Sequence, residues 1–420
     1  MKSTGALAGL LALHLLLIVL SINLVAEHFP LFITGPTTPQ LFAAIETTAI
    51  IACVAPLFYL AEFSFGYVVG FCMYGMVAGF LVISHSTQLP YDHQLARLSA
   101  MFALVAFLIP MLFLRANVNT RLVLTEQWFE LLLIGLLIFT VAVLIWSGVY
   151  GFHFMGPFDS INVRAETIRP PLLSYLDGIC IGAVLPFVFA CYALRKRWIL
   201  AGISCAIAFA FYPVLLNKTT LFLVPWMIFI NLLYRYVNPK AATVLSIVLP
   251  TTIGTILYVV TKPIAPIVGH YALGFINLRM FAVPSVALDF YYSFFHNHPL
   301  TGFCQISILK PWMKCPYAQQ LGIVFADEYH LGNFNASLFA TEGIASLGLL
   351  WAPLGTFVCG VILSVGNVAS GRLQPAMIAG SSCVIVQTLL NVPLSTSLIT
   401  NGCSVLFLLW TITPEVKTAP

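Results

Sequence analysis

The chain has 420 residues, of which 60% are hydrophobic and only 8% charged, with a formal net charge of +4. Soluble domains carry about 25% charged residues, so a chain this apolar cannot cover its surface with polar groups and reads as a polytopic membrane protein. The small net charge gives no footing for nucleic-acid binding.

Apolar runs of spanning length fall at 5–25, 40–61, 66–84, 96–114, 129–150, 174–194, 198–216, 219–234, 241–260, 335–365, 375–392 and 398–413. About twelve transmembrane segments are expected at roughly 20 residues each. They must be helices, because backbone groups in hydrocarbon have to bond within their own segment. The first run ends at Leu24-Val-Ala26 before Glu27, a weak cleavage site, so a retained span is expected rather than a signal peptide. The run 335–365 is long enough to be tilted or broken near Trp351-Ala-Pro353. No internal repeat of the inverted-transporter kind is visible.

Lysines and arginines in short loops orient such a chain. With the N-terminus inside, the cytoplasmic set is Lys2, Arg115, Arg121, Arg195, Lys196, Arg197, Arg235, Lys240, Arg372 and Lys417. In short outward loops only Arg97 and Lys218 remain. Arg164, Arg169, Lys262, Arg279, Lys310 and Lys314 lie in two long outward loops, 151–173 and 261–334, where the rule is weak. Both termini are then cytoplasmic, and any chemistry lies on the outer face. The organisation expected is helices 1–9 over 1–260 with the first loop included, the large loop 261–334, and helices 10–12 over 335–420.

Most of the ten cysteines fall within spans as small apolar fillers. Cys304 and Cys315 stand apart in the outer loop with ten residues between them. In an oxidising compartment they are a candidate disulfide, which the spacing alone does not decide.

Arg164, Arg169 and Arg279 are the most informative residues. A guanidinium is a rigid fork of donors suited to a phosphate, and at the outer boundary three of them could hold the diphosphate of a lipid carrier. Headgroup anchoring, or pairing with Asp159 and Glu166, is the plainer alternative for any one of them. A second group is His330, Asn333, Asn335, Glu342 and Ser346. A helix starting near Asn335 would put Asn335, Glu342 and Ser346 on one face, with Glu342 about 10 Å below the helix start. A carboxylate at that depth should line a cavity or have a polar partner, and is a functional candidate by default. The asparagines read equally well as N-caps. His296 and His298 flank Asn297, and Tyr291 and its aromatic neighbours could stack on sugars or anchor at the interface.

There is no GxxxxGK[ST] loop, no Asp-x-Asp pair, no zinc-spaced Cys/His cluster and no Gly-x-Ser-x-Gly. No ATP, nucleotide donor, metal or other cofactor is therefore expected.

Several stretches together resemble a family. They are Arg279 followed by Pro284, then Asp289-Phe-Tyr291-Tyr-Ser-Phe-Phe295, His298-Pro299, and Gly332-Asn-Phe-Asn335-Ala through Glu342-Gly343 to Leu347-Gly348. Asn217-Lys218-Thr219 between two spans belongs with them. This pattern, with two large outer loops, resembles the bacterial O-antigen and capsule repeat-unit polymerases (Wzy-type), relatives of the O-antigen ligases. The resemblance implies an all-α, GT-C-like fold in a bacterial inner membrane with periplasmic loops. It implies a metal-independent glycosyltransferase whose donor is a glycan on undecaprenyl diphosphate and whose acceptor is one repeat unit on a second such lipid. His330, Glu342 and Arg279 would then be catalytic. Arg164, Arg169, Asn333, Asn335, His296, His298, Tyr291 and Lys218 would bind substrate. A chain-length regulator and a flippase would be partners in the same membrane.

Two other functions are compatible with the residues. One is an O-antigen ligase with lipid A-core as acceptor, although the ligases' adjacent His-Asn is split here by Leu331-Gly332. The other is a lipid or oligosaccharide transporter without catalysis.

Overall fold

The computed structural model describes residues 2–30, 33–115, 122–153, 169–330 and 335–415, and every regular element within them is a helix. Apart from a short 3-10 turn at Lys310–Trp312, in chain order they are α1 (Lys2–His28), α2 (Thr38–Leu60), α3 (Phe65–Ile83), α4 (His93–Phe113), α5 (Glu126–Tyr150), α6 (Pro171–Leu194), α7 (Trp198–Leu215) and α8 (Lys218–Tyr236). Then come α9 (Pro239–Thr261), α10 (Pro266–Asn297), α11 (Leu321–Tyr329), α12 (Phe339–Ser370), α13 (Pro375–Leu389), α14 (Leu394–Ile399) and α15 (Cys403–Ile412). Ten of these, all but α8, α11 and α13 to α15, are long and apolar enough to cross a membrane. The chain is a multi-pass helical membrane protein.

Local chemistry sets many of the boundaries. Ser64, Asp92 and Asn217 each cap a helix, accepting the backbone N–H three residues on at 3.1, 2.9 and 2.8 Å. Proline opens α6, α9, α10 and α13, where its missing N–H would have no partner anyway.

The expected count of twelve differs from the ten in identifiable places. The expected span 219–234 is helical as α8, but Lys218, Asn231 and Arg235 make it too polar to stand among the ten. The last two expected spans are short, at 15 residues for α13 and 10 for α15. The last is interrupted because Gly402 adopts φ +78° between α14 and α15.

The largest correction concerns 261–334, which the sequence presents as a loop. Its first part is α10, a helix of 32 residues. Pro266, Asn277, Arg279, Pro284 and Asp289 make that stretch look interrupted, and its mean hydropathy, 1.4, is the lowest of the ten. The structure buries Asn277 and Asp289 inside the helix packing instead. Crossings by α1, α2 and α3 would put segments 29–37 and 84–92 on one side. Both ends of α10 lie with that side: His270 is beside His28 and Phe29, and His296 shares a cavity with Asp92 and Leu95. Between them Phe281 packs on His14 in mid-α1. Both ends of this helix are therefore beside chain segments that flank α1 to α3.

The chain forms two compact units. One comprises residues 1–114, 240–364 and 389–394. Its centre is α3, buried along its whole length, with α1, α4 and α10 around it. The other comprises residues 115–239, 365–388 and 395–420. In it a π-helical turn, Cys180–Val184, interrupts α6. The carbonyls of Thr400 and Asn401, in the break before α15, lie over Gly178 and Gly182 of α6.

Candidate functional site

The candidate site of the first unit is built on α12. The sequence suggests a break near Trp351-Ala-Pro353, but the break is at Gly348, with φ +76° and ψ 172°. An L-residue rarely adopts that backbone, and Pro353 is absorbed in the early turns of the second arm. The two arms fold back on each other. Gly343 faces Ala352 and Thr356, and Gly355 sits so close to the Glu342 carbonyl that a Cβ would lie 2.8 Å from it. The first arm is a π-helical turn, Phe339–Ala345, and Ser346 Oγ donates to the Thr341 carbonyl five residues back at 2.8 Å. Such turns are rare and occur often at functional sites.

Glu342 is 5% exposed. Its Oε2 accepts the hydroxyl proton of Thr341, and Tyr291 of α10 and Cys359 of the second arm lie within reach of its charge. The expected shared face is only partly formed. Asn335 precedes the helix and is exposed. The π turn also changes the register, so Ser346 turns back to Thr341 and to Thr301, whose hydroxyl is 3.1 Å away. Thr301 N–H donates to the Ala345 carbonyl at 2.8 Å and ties the arm to the chain after α10.

Helix α10 supplies the remaining polar groups. Its π-helical part, Leu273–Ala282, buries Asn277, which donates to Ser21 Oγ, Thr255 Oγ1 and the Thr251 carbonyl at 2.8, 3.0 and 3.1 Å. Arg279, two residues on, is exposed and has no hydrogen-bonding or ion-pair partner among the described residues. Asp289, 4% exposed, accepts the Tyr91 hydroxyl proton. Burial, and then the Asp289 charge, push the Tyr91 phenol far above its ordinary range. The His93 ring lies 4.3 Å from that of Tyr91. Sequence reasoning missed this pair as a site. Its signal was a lone carboxylate within the apolar run 281–295.

The other sequence-derived residues fall as follows. Tyr291 is buried, with its ring 4.2 Å from Phe325 at 14°, so that face is covered by protein. His298 stacks on Phe294 at 3.9 Å, and its Nδ1 bonds the Phe294 carbonyl at 2.8 Å, closing the end of α10. His296 is exposed at the cavity beside Gly348. His330 is exposed and ends α11 in the left-handed conformation, φ +54°. Cys304 and Cys315 are joined by a disulfide. In the second unit Arg169 pairs with Asp177 at 3.4 Å and donates to the Val214 carbonyl. Asp177 also accepts from Ser147 at 2.6 Å. Neither Asp159 nor Glu166, the partners suggested by sequence, is among the described residues. Lys218 occupies the first turn of α8 behind the Asn217 cap. Arg164, Asn333 and most of loop 151–173 also lie outside the described residues.

No protein family, curated protein or solved structure matches the chain.

Proposed function

We propose that this protein is a metal-independent membrane glycosyltransferase that polymerises lipid-diphosphate-linked oligosaccharide repeat units, as the Wzy-type resemblance implies. The observation that carries the reading is Glu342. It is a buried carboxylate in a π-helical hairpin arm, packed on the helix that also bears Arg279, which has no partner among the described residues. Ionisable groups at such depth are rare and mark function.

In this reading an acceptor sugar hydroxyl attacks the anomeric carbon of the donor. The bond from that carbon to the diphosphate oxygen breaks, and the electron pair leaves with the undecaprenyl diphosphate. Arg279 stabilises the developing negative charge. Glu342 takes the hydroxyl proton, with His330 as the other candidate base. The active face is periplasmic, and the membrane is a bacterial inner membrane.

Two rivals are separated by the same test. A ligase differs only in its acceptor. The transporter reading gains support from the break between α14 and α15, because discontinuous helices are frequent in transporters. The test is a lipopolysaccharide gel from a deletion strain complemented with wild type or with Arg279→Ala. A polymerase predicts loss of the polymer ladder with one capped repeat remaining. Loss of even that repeat would identify a ligase, an unchanged ladder in the uncomplemented deletion strain would end both readings, and an unchanged ladder with Arg279→Ala would make this arginine a headgroup anchor and the site misplaced. Removing one charge-assisted donor to an oxyanion costs about 2.7–4 kcal/mol of barrier, or roughly a hundred- to a thousandfold in rate. Arg279→Lys keeps the charge without the planar fork and should recover part of it.

A further inference from the structure

The turn that breaks α12 has a second feature that the proposed chemistry does not use. An open groove of about 360 Å³ lies beside it, lined by Asp92, Leu95, His296 and residues 347–351. Small-molecule sites typically begin at about 300 Å³. We propose that this groove is a sugar-binding subsite, taking a pyranose ring of the acceptor repeat unit; this rests on the glycosyltransferase reading above.

The lining has the chemistry of sugar recognition. Trp351 is 63% exposed and offers an aromatic face. Such a face carries negative quadrupole density and suits the polarised C–H groups on one side of a pyranose. Asp92 spends Oδ1 on the Leu95 N–H that it caps at 2.9 Å, and its other oxygen has no hydrogen bond among the described residues. A free carboxylate oxygen accepts strong charge-assisted bonds from hydroxyls. The His296 side chain likewise has no partner among the described residues, and a neutral imidazole supplies one donor and one acceptor.

The same groups argue against other occupants. Among the described residues Asp92 is the only carboxylate or cation in the lining, and Arg97, whose charge interacts with it, lies outside the lining, so a diphosphate in the groove would meet the Asp92 charge directly. A lipid tail would cover an ionised carboxylate with hydrocarbon and leave it unpaired, which is costly. An uncharged polyol ring satisfies both the aromatic face and the polar groups.

The frame is fixed before a ligand arrives. Ser99 Oγ donates to the Leu349 carbonyl at 2.5 Å, and Tyr292 OH donates to Ser99 at 3.3 Å. The Leu300 side chain packs on Gly348. A site whose backbone is held this way loses little entropy on binding. It also stands at the end of the hairpin arm that bears Glu342, six residues along the chain from Gly348.

Two variants separate this role from plain membrane anchoring. Asp92→Asn keeps an efficient N-cap for α4 but removes the charge. Trp351→Leu keeps an apolar side chain at the interface but removes the ring face, and Trp351→Phe restores a smaller one. The measurements use the full chain in lipid nanodiscs. The probe is the oligosaccharide released by mild acid from the host strain's lipid-linked repeat units, titrated calorimetrically. Polymerisation is followed in parallel with varied acceptor.

The expected result is a tenfold or greater weakening of probe binding in Asp92→Asn and Trp351→Leu, with acceptor KM raised and kcat little changed. Trp351→Phe should recover most of the loss. Polymer formation with unchanged acceptor KM in both variants overturns the subsite while leaving the polymerase standing, and makes Trp351 an interfacial anchor. Probe binding that depends on both residues in a chain that forms no polymer supports the subsite and removes the polymerase reading. Absence of both binding and polymer overturns the two together.

Discussion

Replacing Gly348 by alanine tests whether the break in α12 is a strained turn that only glycine accepts. At φ +76° and ψ 172° an L-residue is strained by about 1–3 kcal/mol. The added methyl would lie 3.1 Å from Leu300 Cδ1, the end of a flexible side chain that can turn aside, so backbone strain is the larger part. Gly135 is the internal control. It lies within α5 with nothing inside 4 Å of an added Cβ, and alanine is favoured over glycine in a helix by about 0.8–1.0 kcal/mol. The two substitutions should therefore shift stability in opposite directions, with a gap of about 2–4 kcal/mol. Thermal unfolding in one detergent can be followed with a thiol-reactive dye, because Cys72, Cys180, Cys191, Cys359, Cys383 and Cys403 are buried until the fold opens. If Gly348→Ala melts with wild type or above it, position 348 does not hold this backbone and the hairpin is misplaced.

Glu342→Gln keeps the size of the side chain and an oxygen for the Thr341 hydroxyl but removes the charge. It should lower polymerisation about a hundredfold or more at normal protein level, and full activity would reduce Glu342 to a tie between the arms. Maleimide labelling of non-reduced protein should leave Cys304 and Cys315 unmodified until a reductant is added; ready labelling of either excludes the bridge. His85 is held at about 4 by burial, then by Arg97 and His93, and its Nε2 lies 2.8 Å from Thr47 Oγ1. Since the Thr47 hydroxyl proton already goes to the Ala43 carbonyl at 2.9 Å, the imidazole is the donor in this bond. A folded-state pKa below the unfolded 6.5 means that its stabilisation is complete above 6.5 and lost as pH falls towards 4. His85→Gln should flatten that slope in a pH series of melting temperatures, and an identical slope would refute the assignment. Reporters fused after Arg197 and inserted near Gln319 should behave as cytoplasmic and periplasmic, and the reverse pattern would overturn the proposed active face.

Composition alone determined the class. With 8% charged residues there is no soluble way to bury the rest, and nine of the twelve apolar runs recur among the ten long helices. Hydropathy is a sum over neighbours in sequence, and it works where a helix is apolar all round. It fails at α10, because Asn277 and Asp289 are polar in the sum yet buried in the fold. Their partners Ser21, Thr251, Thr255 and Tyr91 come from three other parts of the chain.

The candidate site divides in the same way. Glu342 was legible as a carboxylate in an apolar run, since depth in a span is itself a local property. Its surroundings were not. The break falls at Gly348 rather than Pro353 because Gly343 and Gly355 let two antiparallel arms touch, and that contact exists only once the chain has turned back. The π turn that takes Ser346 out of register with Glu342 leaves no periodic mark, and the fates of two prominent candidates were equally hidden. Tyr291 is covered by Phe325 and Arg169 is tied to Asp177. A sequence states which groups are present and how deep each run can lie. Which of them spend their hydrogen bonds on one another, and which stay free for a ligand, depends on residues far apart in the chain, and only the tertiary structure decided it.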